Sequence, residues 1–499
     1  MFLCRFRTIE RLFQAFYNGA GSGTYIWVWA EFNRTLGRVP MAVSSHIQQR
    51  LSRRRLLRGS CLLAGSGVLS VLACRPAAPG QATRQPARAP VEIVFSTWYR
   101  VVTEPLIPLF EKFEEQTRIK VRLEWNDRNM AQFTAWFVSG SAPDVINGDN
   151  FSWSQFYNAG YILDLADYLK RDKIDLRKQY VLMGSEIWCD KYYAMPFDAD
   201  PRAVYYNKSM LKQAGAPDPW DALKGQWTFD DMLRIAQLCT KDTDGDGKVD
   251  QWGVHMSYTG MSEVMGMFVW SFGGTWADFQ NMRYTLDSRE SIEAHQYVFE
   301  WVTSKKVVVT PDEQRALGGN PFTLGKAAMW VRAAASQGEI KRTVGDRFEW
   351  DIAPWPGRQR GTPGITLTSG NPHTVSASTK YPEESYQFAK FLAGPDVQGF
   401  WAKEKLQLPT LKQFQEEFVK DPQRHVHVFA DAYKVPYGIH FRHDHTVRHY
   451  NEYSQAMAEV YALRQPLVDT LREFNRRASS EVTYGACLPY KGMTVPIRP

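Results

Sequence analysis

VEIVFSTW (91–98), EPLIPLFEKFEEQ (104–116), IKVRLEW (119–125), NMAQFTAWFVSG (129–140), PDVING (143–148) and WSQFYNAG (153–160) follow one another directly along the chain. The first is a short apolar run of strand length. The second spaces Leu106, Phe110 and Phe113 at helical intervals, and the third alternates with period two. The pattern then repeats as helix, short apolar strand and helix. Strand and helix in strict turn predict a parallel sheet covered on both faces.

Downstream the alternation resumes. After MPFDADPRAVYYNK (195–208), TFDDMLRIAQLC (228–239) opens with Thr228 and Asp231 placed as a capping box and carries Phe229, Met232, Ala236 and Cys239 along one face. WGVHMS (252–257) reads as a strand, WSFGGTWADF (270–279) contains a Gly-Gly turn, and SIEAHQYVFEWV (291–302) reads as a helix. A third alternating stretch, HTVSAS (373–378) then PEESYQFAKFLAG (382–394), follows, and the chain ends in a helix from about Glu452 to Arg477 before a Pro-rich tail at 481–499. No short-period repeat is present. Two α/β units and a later return predict a two-lobed protein whose chain crosses between lobes more than once. Clefts between such lobes are where ligands sit.

With 44% hydrophobic and 14% aromatic residues, the chain has enough apolar surface for packed cores. The net charge of +7 is a property of the leader: residues 1–74 hold ten arginines and two acids, which leaves the remainder at −1. A near-neutral body gives no footprint for nucleic acid or an anionic membrane.

The leader reads as an address. SRRRLLRGSCLLAGSGVLSVLAC (52–74) resembles a bacterial twin-arginine signal and ends like a lipoprotein box at Ala73-Cys74, which predicts a lipid anchor on Cys74; a cleaved signal without lipid is the alternative. A signal belongs at the start of its chain, so translation is expected from Met41 (signal 41–74), with 1–40 a mis-annotated extension. RPAAPGQATRQPARAP (75–90) is a flexible spacer. The body is expected outside the cytoplasm, at the outer face of the membrane or in the periplasm. There the odd set Cys189, Cys239 and Cys487 allows one disulfide and a free thiol, and Cys239 on an apolar helix face suits burial. No Cys/His spacing fits zinc. His440, His443, His445 and His449 in HFRHDHTVRHY have a transition-metal reading and a solvated-segment reading.

DTDGDGKVDQWG (242–253) places Asp242, Asp244, Asp246 and Asp250 at positions 1, 3, 5 and 9 of a calcium loop, with Gly247 at the sharp turn. Gly253 stands where a bidentate glutamate belongs, and a strand is expected to follow in place of a second helix. The loop therefore reads as a helix-to-strand connection, either a structural calcium clip or a solvated turn. No cofactor is required.

Taken in order, SAPDVINGDN (141–150), GYILDLADYL (160–169), KYYAMPFDADPRAVYYNKSML (191–211), FGGTW (272–276), GKAAMW (325–330) and PEESYQFAKFLAGPDVQGFWA (382–402) resemble the extracellular solute-binding proteins of family 1, the carbohydrate receptors of ABC importers. The resemblance implies a two-lobed periplasmic-binding-protein type II fold with several hinge crossings, one near Asp198 to Tyr206. Lobe 1 would comprise 91–203 and 350–420, and lobe 2 204–349 and 421–480. It also implies a monomeric, non-enzymatic receptor whose partners are a carbohydrate and a membrane permease.

A pyranose has apolar C–H faces and a belt of hydroxyls, so its receptor needs aromatic platforms beside carboxylate, amide and guanidinium groups. Carboxyl ends of strands are the first places to look. Trp98 and Tyr99 follow the first strand. Asp149, Asn150 and Trp153 follow DVING, where the two polar residues also suit a helix cap. Asp198 and Asp200 sit in the expected hinge; Trp270, Gly273, Gly274 and Trp276 frame a turn; Arg332 follows AAMW; Asn371 follows TSG. No tryptophan stands among Ala333 to Ala335, where some relatives carry one, which weakens transfer of maltodextrin specificity. A glycosidase using Asp198 and Asp200 is the enzymatic alternative, and polyamine, metal-ion or phosphorylated cargo the alternative within the receptor class.

Overall fold

The computed structural model describes residues 91–148, 152–182, 184–261, 263–485, 487, 495 and 496. The signal, Cys74, the spacer, Asp149 and Asn150 lie outside the described residues. No described helix is long and apolar enough to cross a membrane.

The opening alternation folds as read: β1 (Val91–Thr97), α1 (Ile107–Thr117), β2 (Ile119–Trp125), α2 (Met130–Ser139), β3 (Val145–Asn147) and α3 (Ser154–Asn158). Asn129 caps α2 by accepting from the backbone N–H of Ala131 and Gln132. After β4 (Ala194–Met195), the crossing strand β5 (Asp198–Ala199) leads to β6 (Arg202–Asn207), α4 (Phe229–Cys239), β7 (Trp252–His255) and α5 (Val264–Ser271). The reciprocal bonds of the Thr228/Asp231 capping box start α4 where the sequence places it. Then come β8 (Ala327–Ala333), α6 (Ser336–Val344), β9 (Trp350–Ala353), β10 (His373–Val375) and β11 (Leu408–Pro409), and the chain closes with α7 (Thr446–Tyr461) and α8 (Leu467–Ser480).

The first lobe's sheet has the order β2-β1-β3-β10-β4, and the second lobe's β9-β6-β8-β7. Neither is wholly parallel, which corrects the sequence expectation. β1, β2 and β3 run parallel, but β10 is antiparallel to β3 because it enters from the other lobe; β6 is antiparallel to both β8 and β9. The expected return to lobe 1 at residue 350 is too early, since β9 pairs with β6 in the second sheet and the strand that rejoins the first is β10. The single terminal helix is also two: Leu463 has φ of +61° and Pro466 precedes α8, a combination that breaks the helical ladder.

Three passages join the lobes and are tied to one another. Asp200 N–H donates to Ser369 O, Arg202 N–H to Leu367 O, and β5 pairs with β11. Apolar cores lie on each side. Ile93, Phe95, Phe110, Val145 and Phe388 fill the first lobe; Met232, Val254, Phe268, Trp301 and Met329 fill the second; Ala199, Tyr205, Ile352, Leu408 and Phe429 pack along the passages. A Cys189–Cys487 disulfide joins a hairpin of the first lobe to the chain beyond α8 of the second, and Cys239 is the buried free thiol.

Candidate functional site

The strands of the first lobe end on a polar cavity of about 200 Å³ between the lobes. Lobe 1 supplies Trp98, Tyr99 and Arg128, and the passages supply Asp200, Arg202, Ser369 and Asn371. Lobe 2 supplies Glu263, Arg332, Glu339, His440 and Tyr450. Trp98 and Tyr99 leave β1 with their rings stacked, centroids 4.5 Å apart and 16° between planes. The Arg128 guanidinium lies 4.7 Å from the Trp98 ring centroid. Asn126 sets that geometry, since its side chain donates to Ser96 Oγ and accepts from the Arg128 N–H. The Trp98 indole N–H is buried without a hydrogen-bond partner among the described residues.

Arg202 organises the hinge side. Its Nη1 donates to Asp200 O at 2.6 Å and to Ser369 Oγ, and its Nη2 lies 3.6 Å from the Glu263 carboxylate. Asp200 accepts from the backbone N–H of Ala335, just before α6. Three guanidiniums (Arg128, Arg202, Arg332) thus face three carboxylates (Asp200, Glu263, Glu339) in one cavity. Burial, and then the negative charge of Asp200 and Asp198, raise the Tyr99 phenol well above its ordinary pKa and keep it a neutral donor. Burial, with Arg202, Arg442 and Arg128 acting in the same direction, holds His440 well below the usual histidine range.

The structure brings Trp98, Tyr99, Asp200, Arg332 and Asn371 together, and it removes the other described candidates from the cavity. Trp153 is 1% exposed and packs against Phe133, Phe137 and Phe156; a Cβ on Gly148 would fall 1.5 Å from its Nε1, so the indole lies directly on that glycine. Trp270 and Trp276 are core residues of lobe 2, and a Cβ on Gly438 would fall 2.0 Å from the Trp270 ring. Gly273 (φ +87°) and Gly274 make the turn after α5. Asp198 is buried beside the cavity, accepting from Asn371 N, Asn371 Nδ2 and Gln407 Nε2. Burial, reinforced by Asp200, holds its carboxyl above the ordinary range. Asp198 and Asp200 therefore do not face each other across a substrate space, which corrects the glycosidase pairing.

Arg128, Arg202, Glu263, Glu339 and Tyr450 escaped the sequence reading, and His440 entered it only as a metal candidate. Arg128 follows the carboxyl end of β2, and the rule that selected Trp98 applies to it equally. The others come from the start of β6 and from loops and helices far apart in the chain, and carry no local signal.

Asp242, Asp244 and Asp246 present carboxylate oxygens within 4.8 Å of one another, and the loop joins α4 to β7 as a helix-to-strand connection. Asp250, the fourth expected ligand, turns away to Thr243 and Lys326. The rings of His443 and His449 in the 440–449 segment are engaged in hydrogen bonds within the fold, and His440 lines the cavity. His443 Nε2 and His449 Nδ1 meet the Tyr284 hydroxyl, His449 Nε2 meets Glu481, and His443 Nδ1 accepts from His445 N–H. Among the described residues, only the aspartate trio groups three metal-capable side chains.

Two α/β lobes, chain passages bound edge to edge and a polar, aromatic cavity at their junction define a binding protein of the hinged, two-lobed class. The chain belongs to the bacterial extracellular solute-binding protein family, whose profile matches residues 93–399. This is a family of receptors and not of enzymes. The maltodextrin-binding protein MdxE of Bacillus subtilis (strain 168) is 24% identical over 341 residues, covering 68% of this chain and 77% of the relative. Among solved structures, the substrate-binding protein Lmo0181 of Listeria monocytogenes, in complex with cycloalternan, superposes with a TM-score of 0.69 at 18% identity over 78% of this chain and 98% of that one. The maltose/maltodextrin-binding domain MalE of Bdellovibrio bacteriovorus, bound to maltotriose, gives 0.66 at 18% identity over 78% and 99%. At such identities these two structures establish the fold alone.

Proposed function

We propose that this chain is the cargo receptor of an ABC importer, that its cargo is a neutral carbohydrate, and that it is held outside the cytoplasmic membrane by lipid on Cys74 while it delivers that cargo to a permease. The observation that carries the cargo assignment is the cavity itself. Three guanidiniums and three carboxylates balance in charge while offering donors and acceptors in quantity, beside a stacked Trp-Tyr pair. An anionic cargo calls for excess positive charge, and a polyamine for excess negative charge. A belt of hydroxyls, each both donor and acceptor, uses both kinds of partner at once, through charge-assisted bonds.

Both lobes contribute to the cavity, so cargo that touches both favours the closed arrangement, which is the differential affinity that closure needs. Calorimetry of the purified chain against neutral mono- and oligosaccharides, uronates, sugar phosphates and polyamines tests the reading. Saturable binding confined to neutral saccharides, recovered chemically unchanged, is the expected outcome. Preferential binding of a charged cargo would overturn it.

A further inference from the structure

Asn371 lines the interlobe cavity with a side chain whose two ends, an oxygen and an NH2 group, are alike in shape and opposite in hydrogen-bonding sense. Which end faces the cargo decides whether a hydroxyl there must donate or accept. The fold settles this from behind. Asp198, on β5, accepts from the Asn371 backbone N–H and, through Oδ2, from Asn371 Nδ2 at 3.1 Å. Asn147, at the end of β3, donates to the Asn371 carbonyl oxygen at 3.3 Å, and its own side-chain oxygen accepts from the Thr97 hydroxyl. The Asn371 backbone is thus pinned on both sides and its NH2 group is drawn to Asp198. Its Oδ1, which takes no part in these bonds, is left for the cavity.

Asp198 is buried, and burial favours a proton on its carboxyl. The arrangement holds with or without that proton. Gln407, just ahead of β11, also meets Asp198 Oδ2, at 2.9 Å, and its Oε1 is buried without a partner among the described residues. A half-turn of the Gln407 amide gives an O–H on Oδ2 its acceptor, while the same oxygen keeps a lone pair for Asn371 Nδ2.

We infer that Asp198 is a positioning residue that fixes the Asn371 amide, so that the cleft presents an acceptor there and the cargo must meet it with a hydroxyl that donates. This rests on the carbohydrate reading proposed above and adds a direction to one of its hydrogen bonds. Asp198 acts through Asn371 and touches no cargo.

The test is calorimetry of the full chain with glucose, galactose, mannose, xylose, maltose and cellobiose, followed by the singly deoxyfluoro analogues of the sugar that binds. Fluorine takes the place of a hydroxyl but has no proton to donate. In the wild type, the analogue fluorinated at the hydroxyl that meets Asn371 is expected to bind at least ~5-fold more weakly than its parent. In Asn371→Ala that penalty should fall below about twofold, while penalties at other hydroxyls persist. Asp198→Asn should remove the same penalty by another route. Its new carbonyl stays on the Asn371 backbone N–H, and its NH2 group can only donate, so Asn371 turns its oxygen inward and shows the cavity its own NH2 group. A merely structural role for Asp198 would weaken parent and analogues by one common factor. That result overturns the inference, and so does a wild type with no fluorine penalty that Asn371→Ala removes; the second comparison decides even if Asp198→Asn fails to fold. Both outcomes leave the carbohydrate reading standing, whereas no saturable binding by any of the sugars overturns both.

Discussion

Acidification from pH 7 to pH 5 should remove a large part of the folding stability, because the fold keeps several histidines neutral. Burial depresses His255 and His295 to about 4 and His443 to about 2, and lowers His373 and His440 well below the ordinary value. A histidine depressed in the native state contributes stability that is fully present above its unfolded pKa of about 6.5 and is lost as pH falls towards the native value. At pH 5 the unfolded ring is charged and the native ring is not. Linkage then gives about 2 kcal/mol for each of His255, His295 and His443 between pH 7 and 5, roughly 5–6 kcal/mol in all, with His373 and His440 acting in the same direction. Asp198, whose carboxyl burial raises to about 8, gains stability over the same interval and offsets part of this loss; against a typical domain stability of about 5–15 kcal/mol the histidine share is still large.

Urea denaturation at half-unit pH steps measures it, followed by fluorescence of the 17 tryptophans. His373→Leu isolates one share. Among the described residues neither ring nitrogen of His373 has a hydrogen-bond partner, and the ring packs between Phe95 and Phe197, so the substitution removes a titrating group without cutting any bond seen there. The variant's stability should fall less steeply than that of wild type over the same interval. A wild-type loss under about 1 kcal/mol, or a variant parallel to wild type, would refute the reasoning.

Two substitutions separate platform from core. Trp98→Ala should weaken saccharide binding about tenfold or more while leaving the unfolding midpoint nearly unchanged; Trp153→Ala should instead cost about 3–5 kcal/mol of stability, because it empties a packed site against Phe133, Phe137 and Phe156. Calorimetry and urea denaturation on both variants decide the matter, and a swap of the two phenotypes would contradict the site described here. Cys487→Ser should lower stability by about 2–4 kcal/mol, since the bond closes a loop of 298 residues between the lobes. An unchanged denaturation midpoint under oxidising conditions would show that the link contributes nothing.

Local structure was legible wherever neighbours in sequence settle it. The 3.6- and 2-residue periods located α1, β2, α2 and β3, and Thr228 with Asp231 fixed the start of α4, because caps and amphipathic faces are short-range matters. The site was legible only in part. The carboxyl end of β1 led to Trp98 and Tyr99, but the same kind of argument selected Trp153, which chain folding placed against Gly148 in the core. An indole flanked by polar residues reads alike whether it faces a cleft or a core; only the packing partner decides.

By itself the sequence determined the α/β alternation, the near-neutral body behind a basic leader, the helix-to-strand nature of the acidic loop and the membership implied by its ordered motifs. Tertiary structure alone decided that β9 belongs to lobe 2, that Cys189 pairs with Cys487, and that Arg128, Arg202, Glu263, Glu339 and Tyr450 meet in one cavity. The physical reason is range. Periodicity and capping act over a few residues, whereas a cleft between lobes is made by groups hundreds of residues apart, whose proximity is set by how the sheets and their passages pack.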